Sequence, residues 1–133
     1  MILVTGGSCQ GKLDFAFRQL LKTEPDRSLY ADGAEDDCEA ALERPVVYGL
    51  HHYMRRLMKE EKDSGSFLEQ LQKGNARIVI IDEIGCGVVP MEERDRRLRE
   101  EVGRAGQKLA KEAETVYRVI CGIGIRIKGQ ELK

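Results

Sequence analysis

The chain has 133 residues, 41% of them apolar and 34% charged, with a formal net charge of −1. That length allows one domain with one core, and the composition excludes a disordered chain. The near-neutral balance gives no electrostatic reason for nucleic acid or an anionic membrane as partner, and no apolar run is long enough to cross a bilayer. The short apolar start has no basic region ahead of it, so no signal peptide is read and the cytoplasm is the expected location. Cys9, Cys38, Cys86 and Cys121 are scattered, and His51 and His52 are adjacent. Neither pattern has zinc-ligand spacing, and isolated thiols are expected in a reducing compartment.

Residues 1–5 (MILVT) form a short apolar run that stops at Gly6-Gly7, the pattern of a buried parallel strand. Leu13, Phe17, Leu20 and Leu21 then fall on one helical face that ends before Pro25. Residues 28–31 (SLYA) are a weak strand, and the acidic stretch 32–43 holds a short helix anchored by Ala40, Ala41 and Leu42. Residues 45–50 (PVVYGL) form another strand, and 52–62 a helix. A polar break covers 63–66, and helix resumes over 67–72. Residues 77–82 (RIVIID) give the strongest strand, followed by a glycine-rich loop at 85–90. Leu98, Val102, Ala105, Leu109 and Ala113 mark an amphipathic helix within 91–114. Residues 116–120 are a strand, and 123–127 a short edge strand. Alternating strands and helices imply an α/β fold of three layers, P-loop NTPase-like, with a mostly parallel sheet flanked by helices over residues 1–133 as a single domain.

Gly6, Gly7, Ser8, Cys9, Gln10, Gly11 and Lys12 spell G-x-x-x-x-G-K between a strand and a helix, which is the context that gives this motif meaning. Glycines let the loop wrap a phosphate with its N–H groups pointing inward, and the helix start adds a positive end. Lys12 would reach the outer phosphates. The alternative is a glycine-rich turn with a surface lysine. The next position, where the motif has a Mg²⁺-binding hydroxyl, is Leu13, so metal placement would come from elsewhere. Asp82 and Glu83 end the strongest strand. There Asp82 would hold Mg²⁺ through water and Glu83 would orient or deprotonate an attacking hydroxyl; solvated loop acids are the alternative. His51 and His52 point in different directions from one helix and are read as having no function. Arg55, Arg56 and Lys59 are read as a wet helix face, and Arg118, interrupting the last strand, as a sheet-edge position.

Taken together, residues 1–12 (MILVTGGSCQGK), 82–90 (DEIGCGVVP), 103–110 (GRAGQKLA) and 116–128 (VYRVICGIGIRIK) resemble the bifunctional adenosylcobinamide kinase/adenosylcobinamide-phosphate guanylyltransferase family of cobalamin synthesis, over about half the chain. In the second segment Glu83, Gly85, Gly87 and Pro90 match the family's N-E-V-G-x-G-I-V-P loop. The resemblance implies ATP or GTP as nucleotide and adenosylcobinamide as acceptor. It also implies transfer of GMP through a guanylylated histidine, and a homo-oligomer. Against the family pattern, the serine after the lysine is Leu13, the loop arginine falls at Cys9, the acid closing the middle strand falls at Gly49, and the helix asparagine falls at Gly106. The chain is shorter between Tyr30 and Pro45, where the histidine-bearing helix belongs, so the nucleophile is carried onto neither His51 nor His52. The expected activity is therefore a cobinamide kinase. The alternatives are a non-catalytic nucleotide-binding or regulatory relative, or a P-loop kinase of another small molecule.

Overall fold

The computed structural model describes residues 1–84 and 92–129. The glycine-rich loop expected at 85–90 lies outside these, and with it the matches at Gly85, Gly87 and Pro90. Six strands form one sheet in the order β2-β3-β4-β1-β5-β6: β1 (Ile2–Gly6), β2 (Tyr30–Asp32), β3 (Val46–Tyr48), β4 (Ile78–Asp82), β5 (Thr115–Ile120) and β6 (Ile123–Lys128). All pairings are parallel except β5–β6, which is antiparallel. The chain thus starts in the middle of the sheet, builds one side through β2, β3 and β4, and crosses over to β5.

The apolar strands alternate between two cores, as a sheet covered on both faces requires. Leu3, Val47, Val79, Ile81 and Val116 face one cluster, which takes in helices α2 (Cys38–Glu43), α3 (Leu50–Lys59), α4 (Ser64–Lys73) and α5 (Glu93–Glu112). Val4, Val46, Ile78, Ile80 and Val119 face the other, which packs under Phe15, Ala16 and Phe17. The result is the three-layer α/β arrangement that the alternating pattern implies.

The first helix departs from the expected one. It opens as α1 (Lys12–Asp14) and widens at once into a π-helical segment (Phe15–Leu20). The wider coil turns three consecutive residues, Phe15, Ala16 and Phe17, onto the sheet. Edge-to-face contacts of Phe15 with Tyr117 and of Phe17 with Tyr30 fix it there. The expected break at 63–66 is instead a helix start, because the Asp63 carboxylate caps the Gly65 N–H at 3.0 Å. Arg118 is not at an edge: β5 lies between β1 and β6. The outer strand is β6, along which Ile123, Ile125 and Ile127 stand exposed. Nor is Arg56 part of a wet face. Its guanidinium lies over the Tyr53 ring and donates to the Asp36 carbonyl.

Two turns cross closely beyond β2 and β3. The Gly33 N–H donates to the Tyr48 carbonyl at 2.8 Å, and a Cβ on Gly33 would collide with the carbonyl oxygen of Gly49. By contrast, a Cβ on Gly103, inside α5, would meet nothing. Gly33→Ala is therefore expected to destabilise the fold by about 2 kcal/mol or more. Gly103→Ala should stabilise it by about 0.5–1 kcal/mol through helix propensity. Chemical denaturation of the two variants checks both signs.

Candidate functional site at the carboxyl ends of β1 and β4

Parallel register sets Gly6 opposite Asp82, so the first glycine of the loop and the first acid after the apolar run come out of the sheet side by side. The Glu83 N–H continues the ladder to the Gly6 carbonyl at 2.9 Å. The loop leaves β1 at Gly6, where φ is +149° and a Cβ would lie 2.5 Å from the Val119 carbonyl oxygen. No other residue type passes that point without moving β5. The loop re-enters helix through Gly11 at φ +86°. Ser8 and Cys9 are its exposed tip. Gln10 ties it to the β5–β6 turn: its backbone carbonyl accepts from Gly122 N–H at 2.8 Å, and its Oε1 accepts from Cys121 N–H at 2.7 Å.

Lys12 is 4% exposed. Its ammonium donates to the Gly7 carbonyl at 2.5 Å and pairs with Asp82 Oδ1 at 2.7 Å. A buried lysine needs such partners, since an unpaired ammonium out of water is costly. The charge is thus held at the mouth of the glycine loop, over the end of β4.

Glu83 is held separately. Arg118 Nε lies 2.9 Å from Oε1 and a terminal guanidinium nitrogen 3.0 Å from Oε2, a two-pronged pair across from β5. Arg118 thus interrupts the strand because it reaches from the sheet face to the second acid.

His51, read from the sequence as having no function, lies against Asp82. Its ring is buried at 6% exposure in the first turn of α3. Nδ1 accepts from the Asp82 N–H at 3.4 Å, and Nε2 lies 3.4 Å from Asp82 Oδ2. Burial pushes its pKa down to about 4, against the opposing pull of the Asp82 carboxylate. The ring is then neutral at pH 7. Because Nδ1 accepts, the proton sits on Nε2, which lies beside the carboxylate without an aligned hydrogen bond to it. The His52 ring lies against it at 4.1 Å. Tyr48, at the end of β3, has its phenol pushed up by burial and by Asp82. The only available signal for His51 was position, directly after the strand that neighbours β4.

Leu13 is half-buried and packs with the core under the π-helical segment. Both oxygens of Asp82 face Lys12 and His51, and among the described residues no three His, Cys, Asp or Glu side chains group as a metal site. This donor set does not fit a resident Mg²⁺. Cys9, Cys38 and Cys121 are free thiols. Beside the two acids, between α5 and the sheet, a cleft of about 380 Å³ is lined by Thr5, Ile81, Asp82, Glu83, Val102 and Gly106, among others. Among the described residues no helix is long and apolar enough to cross a membrane.

A family profile described as cobinamide kinase / cobinamide phosphate guanyltransferase matches residues 49–127, more than half of the chain. The chain is 31% identical over 105 residues to the bifunctional adenosylcobalamin biosynthesis protein CobU of Salmonella typhimurium strain LT2; the match covers 75% of this chain and 50% of that protein. It is 38% identical over 64 residues to the protein of the same name from Escherichia coli K12, covering 47% of this chain and 35% of that one. The chain thus spans half or less of the length of these curated relatives.

The His51 environment gives a pH signature. A ring with a folded pKa of about 4 takes up a proton on unfolding below its ordinary value of 6.5, so stability is full above pH 6.5 and falls as pH drops toward 4. Wild type should lose up to about 3 kcal/mol more than His51→Gln across that window. Denaturant titrations of both proteins at pH 7, 5.5 and 4.5 measure the difference; equal losses refute it.

Proposed function

The chain belongs to the cobinamide kinase / cobinamide phosphate guanyltransferase family, and from that premise we propose that it binds ATP or GTP on the loop from Gly6 to Lys12 and phosphorylates a cobinamide-type acceptor. One observation carries this reading: the buried Lys12 ammonium sits at the mouth of a strand–loop–helix turn, at the carboxyl end of a parallel sheet. That is where anionic ligands meet an α/β sheet and a helix start. The loop amides from Gly7 through Leu13 would surround the outer phosphates, and Lys12 would turn from the Gly7 carbonyl toward them. The acceptor hydroxyl would come from the cleft beside Glu83, whose carboxylate, anchored by Arg118, orients it. The oxygen–phosphorus bond to the acceptor forms as the γ-phosphorus–oxygen bond of the nucleotide breaks, and the hydroxyl proton leaves toward Glu83 or water. Any Mg²⁺ would come in on the nucleotide, and no step is assigned to it.

Guanylyl transfer is left out of the proposal. His51 presents both ring nitrogens to Asp82, an arrangement that favours support over nucleophilic attack. A second reading, a nucleotide-binding relative without turnover, is favoured by Leu13, which removes the hydroxyl that positions metal in active P-loop enzymes. On this reading residues 1–133 act as one nucleotide-binding unit in the cytoplasm. A homo-oligomer is also part of this reading, and the exposed isoleucines of β6 support one.

Titration calorimetry with ATP and GTP is expected to show binding that Lys12→Ala weakens about tenfold or more, the worth of a charge-assisted contact. Unchanged affinity would overturn the site. Labelled phosphate passing from nucleotide to adenosylcobinamide separates the kinase from the silent binder. Mass spectrometry after incubation with GTP should find no GMP on His51 or His52.

A further inference from the structure

Asp82 has a difficulty that the nucleotide reading creates. Its carboxylate is mostly withdrawn from water and pairs with Lys12 at 2.7 Å. When the ammonium turns to phosphate, the carboxylate loses its cation, and a buried charge stripped of its partner is expensive. Among the described residues His51 is the group that remains against it, with Nδ1 receiving the Asp82 N–H and Nε2 lying near Oδ2, each at 3.4 Å. We infer that His51 is a positioning residue for the phosphate-binding lysine: it holds Asp82 through the backbone N–H and keeps an Nε2 donor beside the carboxylate, which a small turn brings into a hydrogen bond when Lys12 is engaged with nucleotide.

The surroundings make this a built support rather than a chance neighbour. Gly49 ends β3 in the left-handed region at φ +72°, which starts α3 at once and brings His51 level with the end of β4. His52 occupies the space over Gly33 and Gly49, where a Cβ on Gly49 would lie 3.0 Å from its ring, and packs at a tilt against His51 with ring centres 4.1 Å apart. The two crossing turns therefore brace one imidazole, which braces the other, which holds Asp82. The ring's low affinity for protons suits the role, since a neutral imidazole keeps one nitrogen as acceptor for the Asp82 N–H and the other as a donor beside the carboxylate.

The inference rests on nucleotide binding at Lys12, and the test separates the two. ATP and GTP affinities are measured by calorimetry for wild type, Lys12→Ala, His51→Gln, His51→Asn and His51→Leu. Asp82→Asn is measured with and without His51→Leu, and each variant is checked for folding by thermal melting. Glutamine places an amide donor near the position of Nε2, whereas asparagine is too short to reach Oδ2. The expected result is about tenfold weaker binding for His51→Asn and His51→Leu, with most of the affinity recovered by His51→Gln. In the Asp82→Asn background, His51→Leu should cost nothing further. If His51→Leu does not fold, the glutamine–asparagine pair decides alone. Wild-type affinity in His51→Asn and His51→Leu, equal losses for asparagine and glutamine, or an equal loss in the Asp82→Asn background overturns the inference while leaving the Lys12 site standing. Absence of nucleotide binding by wild type overturns both.

Discussion

A lysine ammonium with almost no access to water governs this end of the molecule. Lys12 is tolerated there because parallel register delivers Asp82 next to Gly6, and because the glycine loop turns the Gly7 carbonyl toward the same nitrogen. Each condition depends on the sheet. Slipping β4 by one residue would reverse the faces of Ile78 through Ile81 and move Asp82 away from the lysine. The apolar packing that fixes the register therefore also sets the electrostatics, and the pair does not have to stabilise the fold in order to persist.

Much of this was readable from residue order alone. Four consecutive β-branched residues over 78–81 leave little alternative to a strand buried on both faces, and the glycine loop after a five-residue apolar run fixes where β1 ends. The spacing of Leu98, Val102, Ala105 and Leu109 gives α5, and all four are buried. What escaped has a common cause. His51 and Arg118 acquire their meaning only from strand order, since one follows the strand on one side of β4 and the other lies on β5, across β1. Local periodicity carries no information about which strand lies beside which. The π-helical widening of residues 15–20 escaped for a similar reason: it answers to Tyr117 and Tyr30 on the sheet, far away in sequence. Asp63, read as part of a break, acts through a single capping bond whose direction the composition of the stretch does not reveal.

The two acids after β4 are adjacent in sequence yet are treated separately. Asp82 is given Lys12 and a neutral imidazole, and Glu83 is given a two-pronged guanidinium from β5. Each carboxylate thus has its own cation within ion-pair distance. The four charged side chains therefore sum to zero. A polyphosphate approaching this cluster meets no excess of positive side chains, so its attraction must come from the loop amides and the helix start, which are short-ranged. Such a site discriminates by shape and by the fit of the backbone before it discriminates by charge. Under the proposed nucleotide reading, the functional burden falls on the glycines at positions 6, 7 and 11 and on the Gln10 clamp to the β5–β6 turn, with Lys12 reinforcing a geometry that the backbone has already set.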